Sequence, residues 1–106
     1  DSDVLGCVKR VAKALTKLGG CLRNCQVKAA TAAFKGKTFD EVACASGTQN
    51  RSCRAKFDAT SQKVLDQGIC PPCLDGTHQA ALADRVAAEV ESETEDLYCA
   101  GTVPLP

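Results

Sequence analysis

Cysteine is the residue that implies chemistry in this chain of 106 residues, at positions Cys7, Cys21, Cys25, Cys44, Cys53, Cys70, Cys73 and Cys99. An even number crowded into a short chain marks a disulfide framework made in oxidising surroundings, and all eight are expected to take part, in four bonds. The competing chemistry is zinc held by thiolates. Zinc sites bring cysteines together in close pairs, and only Cys70 and Cys73 stand at C-x-x-C spacing. Cys21 and Cys25 sit one helical turn apart with parallel side chains, so each is expected to reach a different neighbouring segment. Cys7 lies two heptads before Cys21 on the same stripe and is expected to meet the Cys70/Cys73 region at the far end of an antiparallel helix. Eight cysteines allow too many pairings for the sequence to choose further.

Cys70-Pro71-Pro72-Cys73 has the outline of a thiol–disulfide exchange motif. That chemistry needs the first thiol at a helix N-terminus after a strand, where the dipole lowers its pKa. Here the motif follows a helical pattern and runs into Leu74-Asp75-Gly76, so a structural role is expected, with a redox role as the alternative. Covalent haem requires a histidine directly after C-x-x-C, and Leu74 occupies that place. The single histidine, His78, reads as a surface residue of a helix's first turn. No catalytic residue, metal ligand or cofactor site is expected, and the chain reads as non-enzymatic. Asn50-Arg51-Ser52 matches the N-x-[ST] sequon, which makes Asn50 a candidate glycan acceptor.

The elements that position these cysteines read as helices throughout. Val4, Val8, Val11, Leu15, Leu18, Leu22, Cys25, Ala29 and Ala32 alternate spacings of four and three without a break. That seam requires a helix. Gly19-Gly20 interrupts its composition but not its phase, so one helix of about 33 residues and roughly 50 Å is expected, ending near Gly36. The expected fold is all-α, a small disulfide-stapled bundle of three main helices (about 3–35, 50–67 and 77–97) and one short helix (about 39–45). Thr38 with Glu41 reads as a capping box for the short helix, and Thr77 as the cap of the last. Cys53, Phe57, Thr60 and Val64 would face inward on one helix, and Leu82, Val86, Val90 and Leu97 on another. Gly68 should end the 50–67 helix, and Cys70-Pro71-Pro72-Cys73 should not be helical. Residues 1–101 form one domain and 102–106 an extended tail.

Composition explains why cross-links are needed. Val, Leu, Phe and Ile together supply 22 residues, whereas Ala supplies 16. Burial stabilises at roughly 25 cal/mol per Å², and alanine offers little area. The chain begins at Asp1 and contains no Met, as a mature protein would after removal of a signal peptide. No apolar run is long enough to span a membrane. The expected location is therefore outside the cytoplasm: extracellular, cell surface or periplasm.

The overall charge of zero hides an uneven distribution. Residues 1–63 carry 12 basic and 5 acidic side chains, a net of +7, and residues 64–106 carry one basic and 8 acidic, a net of −7. Glu89, Glu91, Glu93, Glu95 and Asp96 crowd the C-terminal end of the last helix, against its dipole. Lys28, Lys35, Arg51, Arg54 and Lys56 are the cations expected beside them, unless the acidic end instead meets the basic face of another copy. Only Phe34, Phe39 and Phe57 accompany the basic half, too few aromatics for a nucleic-acid surface.

Lys28-Ala29-Ala30, Phe34-Lys35-Gly36-Lys37, Phe39-Asp40-Glu41 with Cys44, Gly68-Ile69-Cys70-Pro71 and Tyr98-Cys99-Ala100-Gly101-Thr102 carry a resemblance. The chain resembles alanine- and cysteine-rich secreted helical proteins predicted from environmental bacterial genomes. That resemblance implies a secreted compartment and nothing more. The expected function is a non-catalytic structural or interaction protein without cofactor, able to assemble into a homo-oligomer or extracellular filament or to bind another extracellular protein. A carrier of a small apolar ligand between helices is one alternative, and a redox protein using Cys70 and Cys73 is another.

Overall fold

Three side chains decide where three of the helices begin. Oδ1 of Asp40 accepts the backbone N–H of Ala43 at 3.0 Å, Oγ of Ser52 that of Ala55 at 3.1 Å, and Oδ1 of Asp75 that of His78 at 2.9 Å. Each satisfies one of the orphan donors of a first turn. The computed structural model describes residues 2–47 and 50–98. Among these are α1 (Ser2–Phe34), α2 (Glu41–Ala45), α3 (Cys53–Asp66) and α4 (Gly76–Leu97), and no strand. The fold is the all-α, disulfide-linked bundle that the periodicity requires. The tail at 102–106 lies outside the described residues.

Thr38 and Thr77 are not the caps. Asp40 and Asp75 take that role, in keeping with the stronger N-cap preference of Asp over Thr. Nor is Cys70-Pro71-Pro72-Cys73 wholly free of helix: Pro72–Leu74 forms a single 3-10 turn, closed by the Leu74 N–H on the Pro71 carbonyl at 2.9 Å. Proline fits there because a first helical position needs no N–H.

α1 runs unbroken through Gly19-Gly20. Gly19 is buried against α4, where an added Cβ would meet Cγ1 of Val86 at 3.5 Å, whereas a Cβ on Gly20 would meet nothing. Gly20→Ala is therefore expected to stabilise the protein by about 0.5–1 kcal/mol, through helix propensity and a less flexible unfolded chain. Denaturant titration checks it, and destabilisation would mean that α1 needs a flexible joint. Gly36, at φ +71°, ends α1 with the paired bonds Lys37 N–H to Ala32 O (2.7 Å) and Gly36 N–H to Ala33 O (3.0 Å). Gly68, at φ +69°, ends α3 in a related way.

Two cross-links fix the direction of α3. Cys7 near the start of α1 joins Cys70 beyond the end of α3, and Cys21 joins Cys53 at its start, so α3 runs antiparallel to α1. α4 returns parallel to α1, with Gly19 facing Val86 and Arg23 meeting Glu93. The result is an up-down-up rod of 53 × 26 × 18 Å.

The core divides in two. Ala14, Leu18, Leu22, Phe57, Ala83 and Val90 pack around Cys25 and Cys53, while Cys7, Val11 and Val64 pack with Ile69 and Leu74 at the other end. Four inward assignments need correction. Val8 is 43% exposed, because the buried stripe at this end of α1 passes through Cys7 and Val11. Ser61 rather than Thr60 is buried on α3, Leu82 is only half-buried, and Leu97 is 67% exposed. Leu97 keeps the phase of Val90, but Glu93 is already level with Arg23, and α3 starts level with Cys21. Past that level no part of α3 remains to cover it.

Candidate functional site

The disulfides divide the work between the two ends of the bundle. Cys7–Cys70, Cys21–Cys53 and Cys25–Cys44 have Cα separations of 5.2, 5.7 and 5.9 Å, all within the range a bridge requires. Cys21 and Cys25 do reach different segments, α3 and α2, and Cys7 does meet the proline-rich corner. The sulfurs of Cys25 and Cys53 lie 3.5 Å apart, so two of the bridges touch inside the larger core. The sulfurs of Cys21, Cys25 and Cys53 all lie within 4.8 Å of one another, a spacing that could hold a metal ion if they were thiolates. Bonded in disulfides they are neutral and supply no such donor set.

The described residues form three bonds and no fourth. Cys73 is an exposed free thiol, and Cys99 lies outside the described residues. The physical reason is the intact helix between them. α4 carries 22 residues at about 1.5 Å each, and even chain folded straight back at both ends would leave about 12 Å between the two Cα atoms. A disulfide tolerates about 7 Å. The two sulfurs of C-x-x-C are not joined to each other either, since Cys70 is bonded to Cys7.

A residue with no sequence signal organises this corner. Gln79 is fully buried, accepts the Ser61 hydroxyl on Oε1 at 2.6 Å and donates from Nε2 to the Leu74 carbonyl at 2.9 Å. It thereby ties α3, the 3-10 turn and α4 together beside Cys70, whose sulfur lies 3.8 Å from the same nitrogen. A glutamine on the inward face of a helix looks like a surface residue in sequence, and only the phase of Ala83, Val86 and Val90 could have placed it inside.

His78 is exposed, as expected, with Nδ1 2.7 Å from Oδ1 of Asp75. The His78 backbone N–H first, and its ring second, hold the Asp75 carboxyl below the usual carboxylate range. Folding therefore favours the charged cap. Its contribution is complete above the ordinary carboxylate pKa and disappears as pH falls through the lowered one. Asp75→Asn keeps a capping oxygen without the charge. The wild-type advantage over Asp75→Asn, measured by denaturant titration, should be present at neutral pH and vanish in strong acid. A pH-independent gap would show that charge plays no part.

The acidic end of α4 is only partly neutralised. Arg23 grips Glu93 through Nε and Nη2 at 3.0–3.2 Å, and Arg54 bridges Asp84 at 2.6 Å and Asp58 at 2.9 Å. The bond to Asp84 is the main influence raising the already high pKa of Arg54. Among the described residues, Arg54 alone of the five cations expected at the acidic end pairs with carboxylates, and neither belongs to that end. Arg23, one position from the buried Leu22, supplies the pairing that was assigned elsewhere. Glu89, Glu91, Glu95 and Asp96 make no ion pair among the described residues. Beside them a cleft of about 390 Å³ opens between α1 and α4, touching α2 and α3. Asn50 is exposed ahead of α3, while Ser52 of the same sequon is buried as the helix cap.

No described helix is long and apolar enough to cross a membrane. Comparison with family models, with curated proteins and with solved structures finds no match.

Proposed function

We propose that this chain is a non-catalytic structural protein of an oxidising, extracytoplasmic compartment that assembles covalently with copies of itself. The observation that carries the reading is the length of α4, which denies Cys73 the one cysteine left over from the three internal bonds. A leftover thiol exposed in an oxidising compartment is available for a bond to another molecule's. Charge distribution supports the same partner. Val27 and Phe39 share a shallow groove with Lys28, Lys35 and Lys37, while Leu97 stands exposed beside Glu95 and Asp96, which make no ion pair among the described residues. A basic apolar patch and an acidic apolar end on one molecule are complements for a second copy. The three disulfides support an oxidising compartment, and the resemblance in sequence points the same way.

Non-reducing electrophoresis after alkylation of the oxidised protein tests the proposal. Dimers or a ladder that collapse on reduction are expected, with Cys73 found in an intermolecular peptide by mass spectrometry. A ladder should shrink to dimers at most in Cys73→Ser. A purely monomeric chain carrying an alkylatable Cys73 would overturn the reading.

A further inference from the structure

The cleft beside the acidic end of α4 has a floor and a rim of different chemistry. Its floor is formed by Leu18, Leu22, Ala83 and Val90, all buried, with Ala87 at the edge. The volume of about 390 Å³ falls at the small end of the range for small-molecule sites. Alanines at 83 and 87 leave this space, since a larger side chain at either would occupy it. Around the mouth stand the carboxylates of Glu41, Glu91 and Glu95, none with an ion-pair partner among the described residues. Arg54 also lines the cleft, but Asp84 and Asp58 already hold its charge. Tyr98 completes the mouth with an aromatic ring.

We infer that this cleft binds a small organic cation with an apolar body, the body on the leucine, alanine and valine floor and the charge among Glu41, Glu91 and Glu95. The floor alone would take any apolar solute of the right size. The rim makes the selection, because an anion entering it meets three like charges and a cation meets three opposite ones. The aromatic ring at the mouth adds a surface suited to ammonium groups. The inference does not rest on the Cys73 bond, which lies at the other end of α4, but it shares Glu91 and Glu95 with the acidic end, so a second copy seated there would compete with the cation.

Three eight-carbon probes separate the contributions: n-octylammonium, 1-octanol and octanoate, titrated at low salt and followed by amide chemical shifts. Octylammonium should bind most tightly and move the amides of Leu22, Ala83 and Val90, octanol should be weaker, and octanoate weakest. Exposed ion pairs contribute modestly one at a time, so the triple variant Glu41→Gln/Glu91→Gln/Glu95→Gln should lose about tenfold in octylammonium affinity. The same variant should leave octanol binding unchanged. Ala87→Phe, at an exposed position on the cleft edge, should block all three probes without unfolding the chain. Equal binding of octanoate and octylammonium, undiminished binding by the triple variant, or shifts located elsewhere would each overturn the inference.

Discussion

Reduction of the three disulfides without denaturant, in the presence of a chelator, is expected to abolish the helical circular dichroism of this protein. The internal bonds close loops of 63, 32 and 19 residues. By chain entropy they contribute roughly 4, 4 and 3 kcal/mol, the long Cys7–Cys70 loop most. Single domains have net stabilities of about 5–15 kcal/mol, so losing all three removes most or all of the margin. The interior cannot compensate. Among side chains exposed less than 2%, the largest are Gln79 and Val64, followed by cysteines, and the larger core leans on Ala14 and Ala83. Cys7→Ala/Cys70→Ala alone should cost about 4 kcal/mol and destabilise the Val11–Val64 end first. Adding zinc to the reduced chain should restore nothing. Recovery of native helicity with zinc would instead make the clustered sulfurs of Cys21, Cys25 and Cys53 thiolate ligands.

The long-range order of this fold was legible because it is carried by spacing. An unbroken alternation of four and three demanded one helix through Gly19-Gly20, and the phase of Cys7, Cys21 and Cys25 sent them to separate segments. What spacing could not show was length in three dimensions. Four bonds follow from counting eight cysteines, yet the described residues form three and leave Cys73 an exposed free thiol ahead of the 22 residues of α4. Side-chain identity misled where burial depended on a neighbour's reach. Leu97 has the phase of a core residue and no helix above it, while Gln79 has the polarity of a surface residue and is sealed by Ser61 and the Leu74 carbonyl. The cleft follows from alanine content in general terms, but its acidic mouth depends on α2 bringing Glu41 to the same opening as Glu91 and Glu95, which no local pattern announces.

Gln79→Leu is expected to destabilise the protein by about 2–4 kcal/mol although it preserves size and raises hydrophobicity. The ordinary expectation for a buried polar-to-apolar exchange is a gain, since buried area increases. Here the side chain is fully buried and its amide answers two groups packed against it: the hydroxyl of Ser61, a buried residue, at 2.6 Å and the carbonyl of the half-buried Leu74 at 2.9 Å. A buried donor or acceptor left without a partner costs about 1–3 kcal/mol, and Leu strands both. A double-mutant cycle with Ser61→Ala separates the two losses. If the hydroxyl is stranded in Gln79→Leu, removing it should restore about 1 kcal/mol, and the remaining deficit belongs to the carbonyl of the 3-10 turn. That turn carries Cys73, so the same variant should speed alkylation of the Cys73 thiol as the corner loosens. Unchanged stability together with an unchanged alkylation rate would show that Gln79 is filler, and that the Cys7–Cys70 bridge alone holds the corner.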